Sequence, residues 1–107
     1  MSETIELNEV DFDVVVLQEK RPVLVDFWST TCGPCRLLSP VIAALAKANE
    51  EKAVFVKVNV TNNANLAVKY AVASLPTLIL FKDGAPVARL TGVQKQAKLQ
   101  ELIDANL

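Results

Sequence analysis

Two cysteines three positions apart constrain this chain more than any other feature. Cys32-Gly33-Pro34-Cys35 holds the only cysteines; it follows the apolar run Val23 to Trp28 and opens a helical pattern, Pro34 to Ala48. A strand that delivers such a pair to a helix start is typical of a reactive dithiol, because free backbone N–H groups and the helix dipole stabilise a thiolate there. We therefore expect Cys32 to be the activated thiol and Cys35, nearer the core, to be the resolving thiol.

Two other roles for the cysteines are less favoured by the composition. A structural zinc site needs about four ligands, and the chain has no histidine and no third cysteine. We therefore expect no bound metal. A purely structural disulfide would close a very small loop, and reducing compartments oppose it.

The composition predicts one globular domain over residues 1–107. The chain is 51% hydrophobic and has a net charge of −1, so it can build a core but has no basic surface for nucleic acid. Its three glycines are too dispersed for a nucleotide-binding loop. Met1 to Asp13 lacks the basic-then-apolar pattern of a signal peptide, and no apolar run reaches the ~20 residues of a membrane span. We therefore expect a cytoplasmic protein that does not contact the membrane.

Hydrophobic periodicity predicts the element order β-α-β-α-β-α-β-β-α and hence a mixed sheet covered by helices on both faces. Asn8 is expected to cap a first helix, Glu9 to about Glu19, with Phe12 and Val16 inward; a strand at Val14 to Leu17 is the alternative. The predicted strands are Thr4 to Leu7, Val23 to Trp28, Ala53 to Val60, Thr77 to Phe81 and Val87 to Leu90. The later predicted helices are Pro34 to Ala48, a short helix from a cap at Asn62 or Asn63 through Tyr70, and Lys95 to Asn106.

Side-chain spacing also predicts details of the helices and of the hairpin. Lys82 to Pro86 is expected to be the hairpin loop, and Pro40 should kink the long helix. The residues expected to face inward are Leu37, Leu38, Val41, Ile42 and Leu45 in the long helix and Leu99, Leu102 and Ile103 in the last.

The segment Asp26 to Arg36 resembles the thioredoxin family, and the similarity extends along essentially the whole chain. Further matching positions are Phe12, Pro40, Lys57, Leu75-Pro76-Thr77, Phe81-Lys82-Asp83-Gly84 and Gly92. The resemblance implies the thioredoxin fold, a central mixed five-stranded sheet flanked on both faces by four helices. It also implies a protein-disulfide reductase that needs no cofactor beyond a reversible Cys32–Cys35 disulfide.

The resemblance implies specific roles near the dithiol. Cys32 would attack a disulfide in a partner protein, and Cys35 would resolve the mixed disulfide. Asp26, beneath the dithiol, would accept a proton from Cys35, with Lys57 as its charge partner. From the residues alone, Asp26 could be a solvated strand-edge carboxylate, but its apolar neighbours favour burial and a raised pKa. Lys57 could equally be a solvent-facing strand residue.

The resemblance further implies a cis peptide at Leu75-Pro76 and an apolar docking surface beside the dithiol. We define this docking surface as Trp28, Gly33, Pro34, Leu75, Pro76, Gly92 and Val93. The implied partners are disulfide-containing proteins and a thioredoxin reductase that draws electrons from NADPH, and the chain is expected to be a monomer. Three departures from the family pattern are present. Thr31 stands where a second tryptophan is frequent, Asn59 replaces a frequent aspartate, and Ala71 and Ser74 stand where glycine is common or small residues vary.

Two alternative functions stay open from the sequence. One is a disulfide oxidase or isomerase; relatives of that kind often carry histidine between the cysteines, so Gly33-Pro34 favours the reductant. The other is a non-catalytic thioredoxin-like binding subunit, for which the same apolar surface would serve.

Overall fold

Strands and helices alternate in the predicted order in the computed structural model, which describes residues 4–107. The strands are β1 (Ile5–Glu6), β2 (Val23–Trp28), β3 (Val54–Asn59), β4 (Thr77–Lys82) and β5 (Ala85–Thr91). The helices are α1 (Gly33–Ala48), α2 (Ala64–Lys69) and α3 (Gln96–Asp104). A helical segment between β1 and β2, here the N-terminal helical segment, consists of a 3-10 turn, Glu9–Asp11, and a π turn, Asp13–Leu17.

The five strands form one mixed sheet in the order β1-β3-β2-β4-β5. The strand β3 is parallel to both β1 and β2, whereas β4 is antiparallel to both β2 and β5. The strand β2 is central because it is apolar on both faces, and its residues from Val23 to Phe27 are buried. This architecture confirms the predicted thioredoxin fold.

A hydrophobic core lies on each face of the sheet. On one face, Leu24 and Phe55 pack with buried residues of α1 and α3, including Leu38 and Leu99. The other face packs against the N-terminal helical segment and α2. Its buried residues include Phe12, Val16, Val25, Val56, Leu66, Ile79 and Phe81. Since side chains alternate along a strand, Asp26 points to the same side as Leu24, the face that α1 covers.

The N-terminal helical segment is less regular than predicted. Phe12 and Val16 are buried as expected, and the strand alternative is wrong. Asn8 occupies the predicted N-cap position with an extended backbone, but its side chain makes no capping hydrogen bond. Three consecutive valines explain the irregular turns, since β-branched side chains crowd the preceding helical turn.

Asn63 stands before α2 but does not cap it through its side chain. Its side-chain oxygen accepts the backbone N–H of Glu9 at 2.9 Å, and its amide nitrogen donates to the carbonyl of Asn59 at 2.9 Å. Asn63 is buried and ties the N-terminal helical segment to the end of β3. The predicted capping by Asn62 or Asn63 is therefore replaced by a long-range contact.

The helix α1 confirms the predicted inward positions except one. Leu38, Ile42 and Leu45 are buried, whereas the Leu37 side chain is 68% exposed, so its predicted inward orientation is wrong. The physical reason is the helical turn of about 100° per residue, which rotates Leu37 out of the core once Leu38 points in. Pro40 lies inside the helix, as predicted.

The hairpin between β4 and β5 is tighter than the predicted loop. Only Asp83 and Gly84 form the turn, with φ angles of 52° and 79°. This backbone matches the twist of two antiparallel strands, so pairing continues close to the turn. Pro86 therefore lies in the edge strand β5, next to a shift in the pairing register, where a missing N–H is tolerated.

Ala71, just after the C-cap residue of α2, has a left-handed backbone with φ 54°. The N–H of Ala71 donates to the carbonyl of Val68 at 3.1 Å, and the N–H of Val72 donates to the carbonyl of Ala67 at 2.8 Å. This pair of bonds is the Schellman motif, in which glycine usually occupies the left-handed position. The motif turns the chain toward Leu75 and Pro76.

Candidate active site

The dithiol lies where the chain leaves the carboxyl end of β2 and enters α1. Cys32 is the N-cap residue of α1, with an extended backbone, and Pro34 occupies the first turn. Proline suits this turn because the first N–H groups have no partner within a helix. Cys32 and Cys35 are joined by a disulfide, with their Cα atoms 5.3 Å apart.

The two sulfurs have different surroundings. Cys32 is half-buried, whereas Cys35 is only 5% exposed. The Sγ atom of Cys32 accepts the backbone N–H of Cys35 at 3.1 Å. This N–H and the helix dipole would stabilise negative charge on the Cys32 sulfur in the reduced protein.

Asp26 is an isolated carboxyl group in the interior beneath α1. It is 1% exposed, and its Oδ1 atom has no hydrogen-bond partner. Burial raises the pKa of Asp26 from 3.8 to about 6, while the Lys57 cation lowers it and the Glu6 carboxylate raises it. A carboxyl group with this pKa can exchange a proton near neutral pH.

Lys57 lies beside Asp26 in the parallel pairing of β2 and β3. Within residues 4–107 the one salt bridge joins Arg21 to Glu19, so Lys57 acts on Asp26 through space rather than by direct contact. Its Nζ atom lies 4.7 Å from the centre of the Trp28 ring, in a cation–π contact.

A cavity of about 190 Å³ brings several of the predicted site residues together. The residues that line it are Trp28, Ser29, Thr30, Cys35, Arg36, Ser39 and Lys57. Sequence reasoning missed Ser29, Thr30, Arg36 and Ser39. The helical spacing of Cys35 and Ser39, four residues apart, is the signal that could have found Ser39.

The Leu75-Pro76 peptide bond is cis, as the resemblance implies. Pro76 is buried and accepts the backbone N–H of Gly92 at 2.9 Å, which brings Gly92 and the 46% exposed Val93 to the same place. Because Phe27 pairs with Thr77 in antiparallel register, Pro76 lies beside the end of β2, next to Trp28. Pro76, Gly92 and Val93 therefore lie near Trp28 at the carboxyl end of β2.

Leu37 is the exposed apolar residue near the dithiol that sequence reasoning placed in the core. It lies one helical turn beyond Gly33 and Pro34, which are also exposed. The spacing of four residues from Gly33 to Leu37 could have indicated a shared outer face.

A helix-capping cysteine bonded to a buried partner cysteine, with a cis-proline near the carboxyl end of the strand that leads to them, defines a thiol–disulfide oxidoreductase. Comparisons with known proteins agree. The thioredoxin family model matches residues 3–105. Proteins named thioredoxin from Staphylococcus aureus strains Mu50 and MW2 are each 45% identical over 103 residues, covering 96% of this chain and 97% of the relative. The chain belongs to the thioredoxin family.

Two further observations concern metal ligands and membrane-spanning helices. Within residues 4–107, no group of three or more histidine, cysteine or acidic side chains is placed to hold a metal ion. Over the same residues, no helix has both the length and the apolar character needed to cross a bilayer.

Proposed function

We propose that the chain reduces disulfides in partner proteins, with Cys32 as the nucleophile and Cys35 as the resolving thiol. The observation that carries this assignment is the asymmetry of the pair: Cys32 caps α1 and its Sγ atom receives an N–H, whereas Cys35 is buried. A partner disulfide can reach the Cys32 sulfur, whereas the buried Cys35 sulfur can react only within the molecule, by attacking Cys32.

The reaction consists of two exchanges. The Cys32 thiolate attacks one sulfur of the partner disulfide, forms a mixed disulfide and releases the first partner thiolate. The Cys35 thiolate then attacks the Cys32 sulfur, which breaks the mixed disulfide and releases the second partner thiolate. Two electrons pass to the partner, and the Cys32–Cys35 disulfide remains. No metal or organic cofactor takes part.

Asp26 accepts the proton that Cys35 must lose before it attacks. Its position on the face covered by α1 and its pKa of about 6 support this role. Lys57, its register partner, moderates the proton affinity of Asp26 and lines the cavity that also reaches Cys35.

The docking surface formed by Trp28, Gly33, Pro34, Leu75, Pro76, Gly92 and Val93 binds the partner segment around its disulfide. Leu75 offers backbone groups to an extended segment, in the manner of strand addition. A thioredoxin reductase supplied by NADPH restores the dithiol. The protein works as a cytoplasmic monomer, with residues 1–107 as one domain.

Trapping of the mixed disulfide tests the assignment. The Cys35→Ala variant should accumulate a mixed disulfide with insulin whose disulfides are intact, and dithiothreitol should cleave this adduct. The Cys32→Ala variant should form no such adduct. The wild-type protein should cleave the insulin interchain bridges when dithiothreitol is supplied. An adduct formed through Cys35 in the Cys32→Ala variant would reverse the roles.

The non-catalytic binding subunit is the other outcome of these experiments. In that case a variant with both Cys32→Ser and Cys35→Ser would retain the physiological role, and insulin would not be cleaved.

A further inference from the structure

Leu37 belongs to an exposed apolar stripe on the outer face of α1. The stripe consists of Gly33, Pro34, Leu37 and Pro40, all of which are exposed. These residues follow the helical repeat of three to four positions, so they adjoin one another along about 10 Å of the helix. The stripe begins immediately after Cys32, and Leu37 is its largest member.

The surroundings of this stripe define the chemistry that it can contact. Arg36 is the only charged residue between Gly33 and Ala46, so this part of α1 places no acidic side chain beside the stripe. The Arg36 guanidinium donates to the carbonyl of Thr30 at 3.3 Å, and its charge stays at the edge of the stripe. Such a surface favours an apolar side chain and disfavours a basic one.

We propose that Leu37 determines specificity for protein substrates by contacting an apolar side chain next to the substrate disulfide. This inference rests on the proposed function, because a protein disulfide that reaches the Cys32 sulfur must cover the residues that follow Cys32. Single exposed leucines are common on protein surfaces. Leu37 differs from these because its stripe begins at Gly33, the residue next to the reacting Cys32.

Val14 provides a matched control for Leu37. Its side chain is 65% exposed, against 68% for Leu37. It shares a cavity with Ala46 and Glu50 at the far end of α1, about 20 Å along the helix from Cys32. A partner docked at the dithiol would not be expected to contact Val14.

The experiment compares Leu37→Glu, Leu37→Ala, Leu37→Met and Val14→Glu with the wild type. Steady-state insulin reduction with dithiothreitol gives KM and kcat, and hydroxyethyl disulfide serves as a substrate too small to reach residue 37. We expect Leu37→Ala to raise KM for insulin about tenfold, equivalent to about 1.4 kcal/mol, with kcat unchanged. Leu37→Glu should raise KM further, and Leu37→Met should restore it.

The two substrates separate the possible outcomes. Unchanged rates with hydroxyethyl disulfide and an unchanged KM in Val14→Glu would support the inference. Equal losses on both substrates, or no change in KM for any Leu37 variant, would overturn it while leaving the proposed function intact. Failure of the wild-type protein to reduce insulin would overturn both. Thermal unfolding of each variant checks that the fold persists.

Discussion

Replacing Asp26 by asparagine should change how the free energy of unfolding depends on pH. Asp26 is buried without a partner for its Oδ1 atom, and burial raises its pKa from 3.8 to about 6. The folded protein therefore binds a proton at Asp26 more tightly than the unfolded chain does. Asparagine occupies nearly the same volume but never ionises.

The sign and size of the effect follow from proton linkage. Below about pH 3 both states carry a protonated Asp26, and the group contributes no difference. Between about pH 4 and about pH 6 the folded protein keeps the proton that most unfolded chains have lost, so its stability falls as pH rises. Above about pH 6 both states are ionised, and the accumulated penalty is about 3 kcal/mol, since each pKa unit is worth about 1.36 kcal/mol.

Urea unfolding of the oxidised proteins, followed by fluorescence of the single tryptophan Trp28, measures this difference. The oxidised form is used because disulfide-bonded cysteines do not titrate. Relative to wild type, Asp26→Asn should gain about 3 kcal/mol between about pH 3 and about pH 8. The cost of burying the amide is the same at each pH, so it cancels from the change. Asp11→Asn, at an exposed aspartate, is the control.

A stability difference that stays constant over this range, or that falls with pH, would refute the argument from desolvation. The same variant should slow resolution of the mixed disulfide more than its formation, because only the Cys35 step requires the proton acceptor. Stopped-flow traces with both steps unchanged would remove Asp26 from the mechanism even if its burial governs stability.

Two further changes test the surroundings of the site. Lys57→Gln should raise the pKa of Asp26 above about 6, since the Lys57 cation lowers it. NMR titration of the Asp26 carboxyl carbon measures this pKa, and Lys57→Arg, which keeps the charge, is the control. An unchanged or lower pKa in Lys57→Gln would contradict the expectation. Ala71→Gly should stabilise the protein by up to about 1 kcal/mol, because a left-handed alanine costs about 1–2 kcal/mol and glycine loses about half of that gain to backbone entropy. A higher urea midpoint at constant slope would agree with this, and a lower midpoint would contradict it.

The elements that sequence reasoning placed well are those with strong local patterns. The apolar run from Val23 to Trp28 could only be a buried strand, and the helical spacing of Leu38, Ile42 and Leu45 located α1. Sequence predictions were wrong where contacts with residues distant in sequence determine the local structure. Asn63 bonds to Glu9 and Asn59 instead of capping α2 through its side chain. The irregular turns around Val14 are the exception, because crowding by three consecutive β-branched valines is a local cause.

The site divides in the same way. Its sulfur chemistry is local: a cysteine pair at the start of a helix is visible from spacing alone, and the family resemblance extends that pattern to the cis-proline segment. The pairing of Asp26 with Lys57 and the position of Pro76 beside Trp28 depend on how three strands align.

The amino-acid order alone determined the sequence of strands and helices, the dithiol at the start of α1 and the likeness to the thioredoxin family. These features depend on neighbours within a few residues, which the spacing of apolar and helix-starting residues encodes directly. Only the tertiary structure decided that Asp26 is desolvated and that Leu37 faces outward. Burial depends on which distant elements cover a side chain, and that follows from strand register and helix packing.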